Sequence, residues 1–318
     1  MANVSSPAIP NSAPAYRLTA QGRAFKLGVL SALATVFIWS CFLLSMRAGA
    51  VSALTTFDLA LMRFVLPGLV LLPWVMRDWR LLMSTSPWML LGVCVGAGVP
   101  FFYLSSLGAS YAPAAHSGLL IPGTFPLFVT AIAVLVFKEP ISSQRLVGLL
   151  CIGLGVLSLV LMSMLQGGGE LWKGDLIFLL AAFFWAVYTI CLRLAGLPPL
   201  AITGLLCLVS SVILGLLYIS GQVSSGMADT PLLTVMTQFI VQAVLVGIVA
   251  GFTYGFAINL IGAELSAAIG SLTPVLVSLF AIPLLNESLS MASGLGLALV
   301  CSGVVLASGL SLRSIFSR

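Results

Sequence analysis

Apolar residues in this chain come in blocks of about twenty, separated by short polar or turn-forming breaks. The blocks fall near 27–46, 55–76, 88–108, 115–137, 144–165, 174–195, 199–220, 235–260, 265–285 and 291–311. At a rise of roughly 1.5 Å per residue, about twenty apolar residues cross a hydrocarbon core of about 30 Å. The breaks carry cap and turn chemistry: Ser86-Pro87, Glu139-Pro140, Gly167-Gly168-Gly169, Pro198-Pro199, Asp229-Thr230-Pro231 and Asn286-Glu287. Ten-residue blocks of alternating polarity, the mark of a membrane β-barrel, are absent. The pattern predicts an all-α membrane protein of ten transmembrane helices, with 235–265 the least clearly bounded segment. Residues 1–26, rich in Pro, Ser, Ala and Asn, read as a disordered tail, and 312–318 as a C-terminal tail. Ala48-Gly49-Ala50 resembles a signal-peptide cleavage site. The run before it is long for a signal segment, however, and a later helix repeats it, so it is read as a retained span.

Composition agrees. Of 318 residues, 60% are hydrophobic and only 7% charged, against about 25% charged in soluble domains. The net charge of +5 does not signal nucleic acid, because the thirteen Lys and Arg form no patch. They sort instead by side. With the N-terminus inside, Arg17, Arg23, Lys26, Arg77, Arg80, Lys138, Arg145, Arg193, Arg313 and Arg318 fall on the cytoplasmic face, and only Arg47 and Lys173 outside. This bias predicts a bacterial inner-membrane protein with both termini cytoplasmic. Six cysteines without a CxxC spacing and a single histidine give no metal site, cofactor site or disulfide framework.

The chain also repeats itself. FIWSCFLLSMRAG in the first span is echoed by FFWAVYTICLRLAG in the sixth, with Trp39 and Arg47 spaced as Trp185 and Arg193. At an offset of 148, Pro126 maps to Pro274, Glu139 to Glu287, Ser142 to Ser290, Gly148 to Gly296 and Gly155 to Gly303. Five spans per half force the second half (174–311) to enter the bilayer inverted relative to the first (27–165). Inverted repeats are a carrier architecture, because two equivalent packings let one site open to either side.

With these motifs the chain resembles the drug/metabolite transporter superfamily, in particular its ten-helix EamA-type members. The resemblance rests on the paired aromatic–Trp motifs, Arg63 in the second span, and the paired Pro-x12-Glu motifs followed by Ser and spaced glycines. It covers about 27–311. It implies helices arranged around a central cavity, the first four of each half lining it and the fifth outside. It also implies export or exchange of amino acids, other metabolites or drugs.

Candidate substrate-binding residues follow from polar and aromatic groups inside the spans. Arg63 is an intramembrane cation that could meet a carboxylate or phosphate, or else pair with Asp58 to fix packing. Tyr103, Ser106 and Ser110 share one face of the third helix. Trp39, Trp185, Tyr188, Tyr254 and Asn259 supply polar-tipped surfaces suited to an amphipathic small molecule. His116 titrates near neutral pH when unperturbed and is the candidate for proton coupling, with a neutral hydrogen-bonding role as the alternative. Glu139 and Glu287 are expected to cap the helices that follow them. Gly92/Gly96 and Gly247/Gly251/Gly255 are expected to permit close helix approach. The reading is an alternating-access exporter of small metabolites, monomeric or homodimeric. An uncoupled exchanger is the runner-up, and an intramembrane hydrolase the rival class, since His116 with a distant serine is its only route.

Overall fold

The computed structural model describes residues 14–165 and 169–307. Among these, nine helices are long and apolar enough to cross a bilayer, and a tenth apolar helix is shorter. In order, the spans are Pro14–Ala50, Thr56–Arg77, Pro87–Tyr111, Ala114–Leu135, Ser143–Leu165, Leu171–Ala195, Pro199–Ile219, Leu232–Ile261, Ala268–Leu285 and Met291–Ala307. They are called the first to tenth spans below. Residues 1–13, the Gly167-Gly168 part of the central glycine break, and the expected C-terminal tail 312–318 lie outside the described residues.

Three local features depart from the expected pattern. The first helix begins at Pro14 and not at 27, so part of the expected disordered tail is helical. Leu18, Ala20, Gln21, Arg23 and Ala24 are good helix formers, and polarity had masked their propensity. The third span is two helices, Pro87–Ala97 and Val99–Tyr111, divided at Gly98 with Pro100 opening the second. The eighth span is π-helical over Ile240–Val249 between two α-helical stretches.

The packing follows the repeat. The second span packs on the seventh, the fifth on the tenth, and the fourth on the ninth. The first packs on the eighth as the sixth packs on the third, and on the ninth as the sixth does on the fourth. Glycines set the closest approaches. A Cβ at Gly148 would lie 2.5 Å from Ala307 N and 2.6 Å from Gly303 O, so the fifth and tenth spans touch backbone to backbone. A Cβ at Gly96 would lie 2.6 Å from both Phe184 O and Tyr188 N. In the eighth span only Gly247 is closely packed, where a Cβ would lie 2.3 Å from Cγ of the Pro67 ring. Gly251 and Gly255 face open space, so the expected three-glycine packing stripe reduces to one residue.

Candidate functional site

The motifs that repeat in sequence meet each other across the halves. Each Pro-x12-Glu helix ends in a left-handed residue, Lys138 at φ 58° or Asn286 at φ 52°. The following glutamate amide returns to the carbonyl six residues back, Glu139 to Ala133 and Glu287 to Ala281. This turn reverses the chain and aims the carboxylate sideways. Glu287 thereby accepts from Arg47 Nε at 2.9 Å and from the Ala114 amide, at the start of the fourth span, at 2.9 Å. Arg47 Nη1 also donates to Ala109 O at 2.6 Å. The symmetry mate is Arg193 Nη2 to Glu139 at 3.1 Å. Both glutamates therefore bond to the opposite half, which corrects the expectation that each caps its own following helix. The two pairs differ in setting: side-chain exposures are 22% and 14% for Arg47–Glu287, but 52% and 47% for Arg193–Glu139.

Other cross-half bonds gather at the Arg47 end. Asp58 Oδ2 accepts from the Gly226 amide at 2.8 Å, and Thr55 Oγ1 donates to Ser224 O at 2.9 Å. His116 contacts Asp175 of the sixth span and Ser293 of the tenth. Among the described residues, several bonds join the halves at the Arg47 end, while towards the other end they are joined by Arg193–Glu139, by Ser31 Oγ donating to Thr253 O at 2.9 Å, and by Thr35 Oγ1 donating to Thr253 Oγ1 at 2.8 Å.

Further into the bundle, Arg63 lies in the second span. Its guanidinium lies near Tyr188 of the sixth span, within hydrogen-bonding reach of Cys207 of the seventh, and 5.3 Å from the centroid of the Phe64 ring. Asp58 is not its salt-bridge partner, because that carboxylate closes a capping box with Thr55 and holds Gly226. Among the described residues, Arg63 Nη1, Tyr103 Oη and Ser210 Oγ are buried without a hydrogen-bond partner. Ser210 abuts Gly98, where the third span divides. Buried polar groups are nearly always satisfied, so several orphans on the second, third and seventh spans mark a place built to receive polar atoms. A cavity of about 460 Å³ is lined by Thr56, Pro100, Tyr103, Leu104, Leu107, Leu180 and Phe184, so that of the three groups Tyr103 borders it.

The remaining sequence candidates sort into groups. Trp185 packs on Tyr188 (5.1 Å between ring centroids) and on Phe101 (5.0 Å), beside the Arg63 region. Trp39 packs on Tyr254 at 5.0 Å, the equivalent contact in the other half. Ser106 is buried and shares a hydrogen bond of 2.7 Å with Thr56. Asn259 is exposed and apart from these clusters. Sequence reasoning missed Asp175, fully buried against His116. It is an acid just inside an apolar block, and its position as an intramembrane charge is the signal that could have found it.

Comparison with known proteins agrees with this architecture. Both halves match the EamA-like transporter family, over residues 26–161 and 172–309. An uncharacterized transporter of Archaeoglobus fulgidus is 29% identical over 159 residues. That match covers 49% of this chain and 54% of the relative, about half of its length. A crystal structure of 20% sequence identity superposes with a TM-score of 0.61 over 90% of this chain and 98% of its own, which is a likeness of fold.

Proposed function

The chain belongs to the EamA-like transporter family, and on that premise we propose that it exports small amphipathic metabolites bearing an anionic group, by alternating access. The observation that carries this reading is Arg63. A guanidinium with a buried, unsatisfied Nη1 beside Tyr188 is costly to keep in a bilayer. A carboxylate or phosphate on the cargo supplies the missing acceptor, and Trp185, Tyr188 and Tyr103 supply aromatic surface. The deeper burial of Arg47–Glu287 than of Arg193–Glu139 supports a state closed at Arg47 and readier to open at Arg193. By the basic-residue bias the Arg193 end is cytoplasmic, so this state would load from inside, as an exporter does. The same bias supports an inner-membrane location with both termini in the cytoplasm.

The test is counterflow in proteoliposomes across a panel of amino acids, other organic anions and toxic analogues. Saturable counterflow of an anionic amphiphile is expected in wild type. Arg63→Gln should lower it about a hundredfold, the order expected for losing a charge-assisted contact of about 2–3 kcal/mol. Non-saturating conductance, or equal rates in Arg63→Gln, would remove this reading.

A second reading deserves its own test because Asp175, His116 and Ser293 stand in the order of a serine-hydrolase relay. Ser293 is only 6% exposed, and its hydroxyl is also hydrogen-bonded to Ser290 at 2.9 Å. A scissile carbonyl has no approach to it. A fluorophosphonate probe should therefore leave Ser293 unlabelled, and labelling lost in Ser293→Ala would favour the hydrolase.

A further inference from the structure

His116, Asp175 and Ser293 come from the fourth, sixth and tenth spans, one element of the first half and two of the second. His116 Nδ1 lies 2.6 Å from Asp175 Oδ1, and Nε2 lies 3.2 Å from Ser293 Oγ. Exposures are 5%, 0% and 6%. Among the described residues, Asp175 Oδ2 is buried without a hydrogen-bond partner. Ser290 Oγ extends the chain to Ser293 Oγ at 2.9 Å and accepts from the Ser293 amide at 3.0 Å.

We propose that this relay is a proton-binding site that latches the Arg47 end shut, so that the bound proton stabilises the state closed at that end. The inference rests on the alternating-access reading for its consequence, though not for its chemistry. With the imidazole neutral, Nδ1–H donates to Asp175, Nε2 accepts from Ser293, and Ser293 accepts from Ser290. The site then carries one negative charge, buried and with one carboxylate oxygen unsatisfied, which is unfavourable in a low-dielectric interior. An arriving proton binds Nε2. Ser293 turns to accept from it and donates instead to Ser290, and the imidazolium–carboxylate pair is neutral overall. When the halves part at this end, water reaches Asp175, the penalty on the unprotonated form falls, and the proton is held less tightly. By linkage, a proton that binds the closed state more tightly must favour closure.

The charged and titratable groups on packed elements leave this site distinct. At the same end are Arg47 with Glu287, already paired, and Lys173, paired with Glu170. Tyr111 of the third span ends nearby and acts electrostatically on Lys173. Arg145 and Arg193 lie at the opposite ends of their spans, the ninth span carries no ionisable residue, and the tenth carries only Cys301. The fifth and sixth spans add Cys151, Tyr188 and Cys191. The site is also one-sided. The offset that carries Glu139 onto Glu287 carries His116 onto Glu264 and Arg145 onto Ser293, so the sequence does not repeat the relay.

The single histidine makes the test direct. In tag-free protein in nanodiscs, ¹⁵N-histidine NMR reads His116 alone as pH is varied from 5 to 9. Hydrogen exchange of segments 113–118 and 287–293, corrected for intrinsic rate, reads closure. The expected result is one imidazole titration, with exchange at both segments about tenfold faster on its alkaline side. Asp175→Asn should abolish that coupling while exchange near Arg193 stays unchanged. An imidazole that keeps one protonation state throughout, or exchange indifferent to its titration, would overturn the proposal. Both readouts are made on wild type, so a variant that fails to fold does not decide the matter. Absence of saturable counterflow with the coupled titration intact would remove the transport reading and still support the proton site.

Discussion

Glu287→Ala should destabilise the protein by about 3 kcal/mol and raise exchange at the Arg47 end, whereas Glu139→Ala should cost less than about 1 kcal/mol. The two residues are equivalent in the repeat, make the same turn and face the same type of partner. Their settings differ. Removing the Glu287 carboxylate leaves Arg47, 22% exposed, without its charge partner and the Ala114 amide without its acceptor. Arg193 is 52% exposed, so water and salt take over when Glu139 is lost. Thermal unfolding in detergent should show a Tm lower by about 5–10 °C for Glu287→Ala and little change for Glu139→Ala. Equal shifts would mean that the closed end does not lie at Arg47.

Gly148→Leu should prevent the fifth and tenth spans from packing, and little monodisperse protein should be recovered. The new Cβ alone would sit 2.5 Å from Ala307 N and 2.6 Å from Gly303 O. These are backbone atoms, which cannot swing aside, so the helices must separate at a cost of at least about 3 kcal/mol. Gly153→Leu is the control. Its Cβ would meet only Leu127 Cδ1 at 3.9 Å, and normal recovery is expected. Size-exclusion profiles of the two variants decide the point.

The hydrophobic pattern was enough to find the spans, because bilayer thickness imposes one length on every crossing helix. The repeat was legible for a similar reason: symmetry writes the same spacing twice. Local irregularities were less so. Gly98 followed by Pro100 is a break signal, but it sits inside an unbroken apolar run and was outweighed by hydropathy. The π-helical stretch has no residue signature at all. Of the candidate site, the aromatic residues Trp39 and Trp185 could be singled out from their repeated motif. Their contacts could not, since Tyr254 and Phe101 come from the other half. Arg63 stood out as an intramembrane cation, but that Asp58 was already engaged depended on a loop amide 168 residues away. The cross-half roles of Glu287, Asp175 and Ser293 are tertiary facts of the same kind. Their residue types were in view, and their partners were not.

The third span and its counterpart, the eighth, each lose regular α-helical order, one by a glycine break and the other by a π-helical stretch. The repeat offset carries Gly98 to position 246, inside the π-helical stretch, so the two irregularities fall at one place and are built from different chemistry. What the two copies share there is a matter of shape: each helix yields at that point, one by breaking and the other by widening its turn.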